Sequence, residues 1–267
     1  MEINQITGFA LAILVGITLG LIGSGGSILT VPIMVYIIGI NPVLATAYSL
    51  FVVGSSALVG GIKKAKQQLV NFKMVFIFGI PTLFSVFMTR KYIVPNIPNQ
   101  ILNINNFAIT KSLFLMVLFA FVMILASLTM IKSQKEILKA EKIATKINYL
   151  LILILGISIG LLAGFVGAGG GFLIVPSLVV FAKIPMKTAV GTSLFIIALQ
   201  SLIGFLGDTS TLIDWNFLLT FTSFAIVGIF IGDYLSKKID ASKLKTGFGW
   251  FVLAMGILII FKEFFII

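Results

Sequence analysis

The chain has 267 residues, of which 59% are hydrophobic and only 10% are charged, and its mean hydropathy is +1.19. Soluble domains contain roughly 45–50% apolar residues, so the composition excludes an ordinary soluble protein. The net charge of +11 comes from lysines placed in short segments between apolar runs. This placement favours a membrane-orientation signal over nucleic-acid binding.

Eight apolar runs reach, or nearly reach, the roughly 17–25 residues of a membrane-spanning helix. In chain order they cover about 6–22, 43–62, 72–89, 112–131, 148–166, 188–206, 215–235 and 246–267. Two shorter apolar runs, at 27–40 and 171–182, directly follow glycine clusters. Residues 92–110 are expected to form a loop outside the membrane, and residues 131–146 a surface helix or a solvated loop. No cleavable signal is apparent, so the first run is expected to remain as a helix.

The chain contains a duplication. At an offset of 144 residues, 16–51 aligns without a gap with 160–195, and fourteen positions are identical, including Pro32 with Pro176. Such self-similarity indicates two copies of one structural unit. We therefore predict a first transmembrane repeat at 1–131, a cytoplasmic linker at 132–147 and a second transmembrane repeat at 148–267.

The basic residues discriminate between two topologies. If the two short runs cross the membrane, one side holds fifteen lysines and the other holds Arg90, Lys91, Lys111 and Lys262. If the short runs are re-entrant and only eight segments span, the division is ten against nine. The positive-inside rule favours the uneven division. The predicted fold is an all-α integral membrane protein with two inverted repeats of about five segments each, broken at the glycine motifs; eight full spans plus two re-entrant segments is the alternative.

Inverted repeats with interrupted helices are a recurring plan of transporters, in which the breaks form the substrate site. Glycine-dense segments discourage a continuous helix, and the amides at a following helix start suit an oxyanion. Small hydroxyl residues follow each break at 46–49 and 192–193. Glycines used only for tight helix packing and hydroxyls bonded to their own backbone are the alternatives. The candidate substrate-binding residues are Gly23, Ser24, Gly25, Gly26, Ser27, Thr46, Tyr48, Ser49, Gly167, Ala168, Gly169, Gly170, Gly171, Thr192 and Ser193.

No lysine or arginine lies well inside a predicted span, and Asp208, Asp214 and Asp233 lie close to segment ends, so we expect the substrate to be held by dipoles. Pro32 and Pro176 are expected in the first turn of the half-helices that follow the breaks. The chain has no cysteine and no histidine, which excludes thiolate metal sites and a serine–histidine pair. We predict no enzyme activity, no catalytic residue, no metal and no cofactor.

The duplicated glycine-rich, Val-Pro and Gly-Thr-Ser-Leu pattern resembles the sulfite exporter TauE/SafE family of membrane proteins. The second half carries it best, at Gly167–Gly171, Val175–Pro176 and Gly191–Leu194, whereas Ser27 and Tyr48 depart from it in the first half. The resemblance implies export of sulfite, an organosulfonate or a related sulfur oxyanion. The expected partners are a small anion and the lipid bilayer, with no nucleic acid. A multi-pass location in the cytoplasmic membrane with both termini outside is expected; an anion channel, or a carrier for a different small organic anion, is the alternative function.

Overall fold

The computed structural model describes residues 3–23, 26–104, 107–131, 149–167, 169–208, 213–236 and 241–265. Within these ranges the chain forms ten helices and one antiparallel hairpin. The helices of the first half are α1 (Ile3–Ile22), α2 (Ser27–Ile37), α3 (Pro42–Lys66), α4 (Phe72–Asn96) and α5 (Lys111–Ile131). The hairpin consists of β1 (Gln100–Ile104) and β2 (Phe107–Thr110). The helices of the second half are α6 (Tyr149–Val166), α7 (Gly171–Val180), α8 (Met186–Gly207), α9 (Trp215–Leu235) and α10 (Ala241–Phe265).

The helices confirm an all-α membrane protein. Six of those in the described ranges, α3, α4, α5, α6, α8 and α9, contain segments long and apolar enough to cross a bilayer. Large apolar side chains remain exposed on their outer faces, for example Phe76 at 63% and Leu206 at 72%. Exposed apolar surface of this kind is typical of lipid contact.

Two local expectations were wrong. The segment 92–110 is not only a loop, because α4 continues through a π-helical turn at Thr89–Ile93 to Asn96, and the hairpin follows. The prolines do not start the half-helices, because Pro32 and Pro176 are each the sixth residue of their helix. After Pro32, the backbone widens into a π-helical turn at Ile33–Ile37. The predicted linker at 132–147 lies outside the described residues.

Long helices of one half pack in parallel against long helices of the other. Gly16 of α1 lies against Ala225 and Ile229 of α9, and further along α1 a Cβ atom on Gly20 would lie 2.8 Å from the Asp233 amide nitrogen. The equivalent pair is α6 with α4, where Cβ atoms on Gly160 and Gly164 would lie 2.8 Å from Ser85 Cβ and 2.6 Å from Thr89 Cβ. In both pairs, residues further along one helix contact residues further along the other, so the two helices are parallel. Glycine allows the close approach of their backbones.

The centre of the molecule is the antiparallel pair α3 and α8. Gly54 lies against Leu202, whereas Gly61, further along α3, lies against Phe195. Helix α3 runs parallel to α9, since Tyr48 stacks on Phe217 and Gly60 contacts Ile229. Helix α8 in turn runs parallel to α4, since Gly79 contacts Ile196 and Gly204 contacts Val86.

These directions confirm the inverted repeats. Helices α1, α9 and α3 share one direction, and α8, α4 and α6 share the opposite one. Equivalent helices such as α1 and α6, or α3 and α8, therefore run in opposite directions. Because α1 and α3 run in the same direction, the chain between them must run back in the opposite direction beside α1. Helix α2 provides the return, since Gly26 lies beside Leu19 while Ile38 lies beside Gly8.

Candidate functional site

The second helix break is a turn built on left-handed glycines. Gly167, Gly169 and Gly170 have φ angles of +72°, +65° and +58°, and Gly170 precedes the first residue of α7. Residues with a Cβ atom adopt this region at a cost of about 1–2 kcal/mol each. The first two amides of α7 have no acceptor within the helix, whereas the Leu173 amide donates to the Gly170 carbonyl oxygen at 3.0 Å. These first two amides are the donors expected at this break. In the first break, Gly23 has a φ of +81°.

Each break packs against the third helix of the opposite half. A Cβ atom on Gly167 would overlap Thr46 of α3, and a Cβ atom on Gly23 would overlap Val190 of α8. Thr46 and Val190 are equivalent positions, separated by 144 residues. Of the predicted hydroxyl residues at 46–49, Thr46 therefore lies beside the second break, which belongs to the other half.

Gly169 lies between α3 and α8 near the middle of both helices. A Cβ atom there would be 3.2 Å from Val53 Cγ1, 3.1 Å from Ile197 Cγ2 and 2.7 Å from Ser201 Oγ. Val53 and Ile197 are also equivalent positions, so Gly169 sits close to the pseudo-twofold axis that relates the two halves. The Gln200 side-chain amide donates a hydrogen bond to the Gly169 carbonyl oxygen.

Several predicted hydroxyls bond to their own helices. Thr46 Oγ1 donates to the Val43 carbonyl at 2.7 Å, and Ser193 Oγ donates to the Val190 carbonyl at 2.8 Å. Ser49 is fully buried and its hydroxyl has no partner in the part of the chain that the structure describes. Among the predicted hydroxyls that the structure describes, Ser49 is therefore the one free to bind a ligand.

Tyr48 and Thr192 each accept a hydrogen bond from the residue that precedes a long helix. The Asp214 amide donates to the Tyr48 hydroxyl at 2.6 Å, and the Asn71 amide donates to Thr192 Oγ1 at 2.9 Å. Tyr48 and Thr192 are equivalent positions, and Asn71 and Asp214 are the N-caps of α4 and α9. Each hydroxyl therefore fixes the start of the following long helix, and the larger tyrosine occupies the position that is threonine in the second half.

The remaining predicted residues have the following positions. Gly26 precedes α2 and packs against α1, where its Cβ atom would lie 2.5 Å from the Leu19 amide nitrogen. Ser27 and Gly171 are the buried first residues of α2 and α7. Ser24, Gly25 and Ala168 lie outside the described residues.

Sequence reasoning missed three buried polar side chains of α3 and α8, Ser56, Gln200 and Ser201, of which Gln200 and Ser201 lie against Gly169. Gln200 is 1% exposed and the two serines are fully buried. Ser56 and Gln200 are equivalent positions, seven residues after Ser49 and Ser193. Seven residues are close to two helical turns, so this spacing was the signal that could have identified them.

Two buried ion pairs lie at opposite ends of the helix bundle. Arg90 of α4 contacts Asp208, the residue after α8, with 3.1 Å between Nη1 and Oδ2. Asp233 of α9 contacts Lys64 and Lys63 of α3, with Nζ–O distances of 2.7 and 2.6 Å. Arg90 was expected outside the spans, but α4 is longer than predicted and its guanidinium is 0% exposed.

The two ion pairs are related by the duplication with their charges exchanged. Lys64 is equivalent to Asp208 at an offset of 144 residues, and Arg90 is equivalent to Asp233 at an offset of 143. The first half supplies the cation at both ends and the second half supplies the carboxylate. The Arg90 pair is sealed from solvent, whereas Lys63 at the other end is 35% exposed.

A cavity of about 380 Å³ lies at the end of the bundle that carries Lys64. Its walls include Lys64, Gln67, Lys187 and Ser236, together with Gly20–Ile22 at the first break. Its inner part reaches Val190, which contacts Gly23. Val190 is ten residues before Gln200, about 15 Å along α8. The cavity thus carries two lysines on a largely apolar wall and borders the first break.

An inverted-repeat helical bundle with interrupted helices at its centre and a charged cavity at one end defines the class of membrane transporters, not enzymes. The family model "Sulfite exporter TauE/SafE" matches residues 8–259. The chain belongs to this family. It is 30% identical over 254 residues to a "Probable membrane transporter protein" of Xylella fastidiosa, covering 94% of this chain and 92% of that protein.

A second relative, the "Probable membrane transporter protein YunE" of Bacillus subtilis, is 25% identical over 273 residues, covering 96% of this chain and 99% of that protein. No solved structure matches the chain significantly. The matches run through both halves, so they apply to the whole inverted-repeat unit.

Proposed function

We propose that the protein exports a small anion, either sulfite, an organosulfonate or a related sulfur oxyanion. The observation that carries the proposal is the packing of the left-handed glycine turns against α3 and α8 of the opposite halves. Backbone amides and buried hydroxyls there can bind oxyanion oxygens without a fixed countercharge. The family's printed name supports sulfur oxyanions as the substrate class.

The proposed location is the cytoplasmic membrane, with the lysine-rich end of the bundle inside and both termini outside. In that orientation the charged cavity opens to the cytoplasm and collects anions there, while the sealed Arg90–Asp208 pair lies toward the exterior. An inside-negative potential favours anion exit by roughly 2.3 kcal/mol per charge per 100 mV. Export can therefore proceed downhill without a coupling ion.

Sulfite flux into proteoliposomes at a clamped potential tests the function. We expect flux that saturates with sulfite concentration, depends on voltage, and is inhibited by organosulfonates more strongly than by chloride. Saturation distinguishes a carrier from an open channel, whose flux rises linearly over the same range. Protein-free liposomes are the control, and flux no greater than theirs from correctly folded protein would reject the proposal.

The orientation has its own test, because the chain contains no cysteine and single cysteines give no background. Gln68 follows α3 and Asn99 follows α4, and both are exposed at opposite ends of α4. In intact cells a membrane-impermeant maleimide should label Asn99→Cys and spare Gln68→Cys until the cells are permeabilised. The reverse pattern, or equal labelling of both, would contradict the proposed orientation.

A further inference from the structure

The orientation of the Gln200 side-chain amide is fixed by its partner. Its nitrogen, Nε2, donates to the carbonyl oxygen of Gly169. A carbonyl oxygen can only accept, so the amide nitrogen must face Gly169 and Oε1 must point elsewhere. With 1% exposure, Gln200 is held within the bundle by the break itself.

Oε1 of Gln200 is a buried acceptor that has no donor among the described residues. The neighbouring Ser201 Oγ, which lies against Gly169, is also buried without a partner. A serine hydroxyl can either donate or accept, whereas an amide oxygen can only accept. A buried acceptor left without a donor opposes folding, and a ligand that supplies the donor removes that penalty.

Resting on the proposed function, we propose that Gln200 selects oxyanions that carry a hydroxyl group of their own. The anionic oxygens accept hydrogen bonds from Ser201 and from the first amides of α7, while the ligand hydroxyl donates to Gln200 Oε1. A singly protonated oxyanion and a hydroxylated sulfonate both have this chemistry. A fully deprotonated oxyanion or a plain alkylsulfonate leaves Oε1 unpaired and binds more weakly.

The test compares ethanesulfonate with 2-hydroxyethanesulfonate, which have the same charge and differ by one hydroxyl. Binding is measured from the concentration dependence of thermal stabilisation of the purified protein, so the readout needs no transport. We expect the wild type to bind the hydroxylated compound about tenfold more tightly, as for a site built to pair a ligand hydroxyl. Repeating the titration with sulfite at pH values below and above its second ionisation compares the singly protonated oxyanion with the fully deprotonated one.

Variants separate the acceptor from the donor. Gln200→Met removes Oε1, together with the donor to Gly169, at similar volume, and the tenfold preference should fall to about one. Ser201→Ala removes a donor to the anion, so both compounds should weaken while their ratio stays near ten. Ser127→Ala, which removes a buried serine bonded within α5, should behave as the wild type.

Three results would overturn the inference: equal affinities in the wild type, a preference that survives Gln200→Met, or no stabilisation by either compound. Failure of sulfite flux with a normal binding ratio would reject the transport proposal alone. Normal flux with no hydroxyl preference would reject the role of Gln200 alone.

Discussion

Replacement of Gly169 by alanine should lower sulfite flux by at least about tenfold. Alanine at a φ of +65° costs about 1–2 kcal/mol, and its Cβ atom would lie 2.7 Å from Ser201 Oγ. The turn must shift to relieve this contact, which displaces the amides and the carbonyl that Gln200 holds. A displacement worth about 1.4 kcal/mol at the site already corresponds to a tenfold loss of affinity.

Gly39→Ala is the matched control, because Gly39 has a similar φ of +82° and nothing lies within 4 Å of its Cβ position. Its backbone strain should lower the midpoint of thermal unfolding by a few degrees, with flux per folded molecule unchanged. Initial flux rates normalised to folded protein provide the comparison. Equal flux losses in the two variants would mean that backbone strain, and not the site, explains the effect of Gly169→Ala.

Arg90→Leu should destabilise the folded protein by about 3–5 kcal/mol, because it removes the cation of a buried ion pair while the Asp208 carboxylate stays buried. Asp208→Leu should destabilise comparably, since it leaves a guanidinium of 0% exposure unpaired. The double variant should recover most of the loss, because apolar residues in place of a buried pair are often neutral or stabilising.

Unfolding of the purified variants in detergent measures these effects as a double-mutant cycle. Lys63→Leu is the control, because that side chain is 35% exposed and Lys64 still pairs with Asp233. Its expected cost is below about 1 kcal/mol. Additive losses in the double variant would show that Arg90 and Asp208 are not coupled.

Most of the architecture could be predicted from the sequence. Ten apolar segments, their duplication and their inverted arrangement follow from hydropathy, an ungapped self-alignment and the distribution of lysines, which all reflect the demands of the bilayer. The break at Gly167, Gly169 and Gly170 was also predictable, since dense glycine marks backbone conformations that other residues avoid.

The side-chain partners that lie on other helices could not be predicted from the sequence. Arg90 looked like a loop residue because it follows an apolar run, and only the pairing with Asp208 explains how α4 continues past it. Tyr48 and Thr192 looked like ligand donors, yet their bonds to Asp214 and Asn71 depend on which helix starts lie opposite them. Gln200 was passed over because its bond to Gly169 joins residues 31 apart in sequence.

The exchanged charges of the two ion pairs also determine which combinations of the two halves can assemble. In a symmetric dimer of first halves, Lys64 of each copy would meet Arg90 of the other, and in a dimer of second halves Asp208 would meet Asp233. Both homodimers would bury like charges at both ends, which costs several kcal/mol. Only the mixed pairing joins opposite charges, so the two halves can no longer substitute for one another.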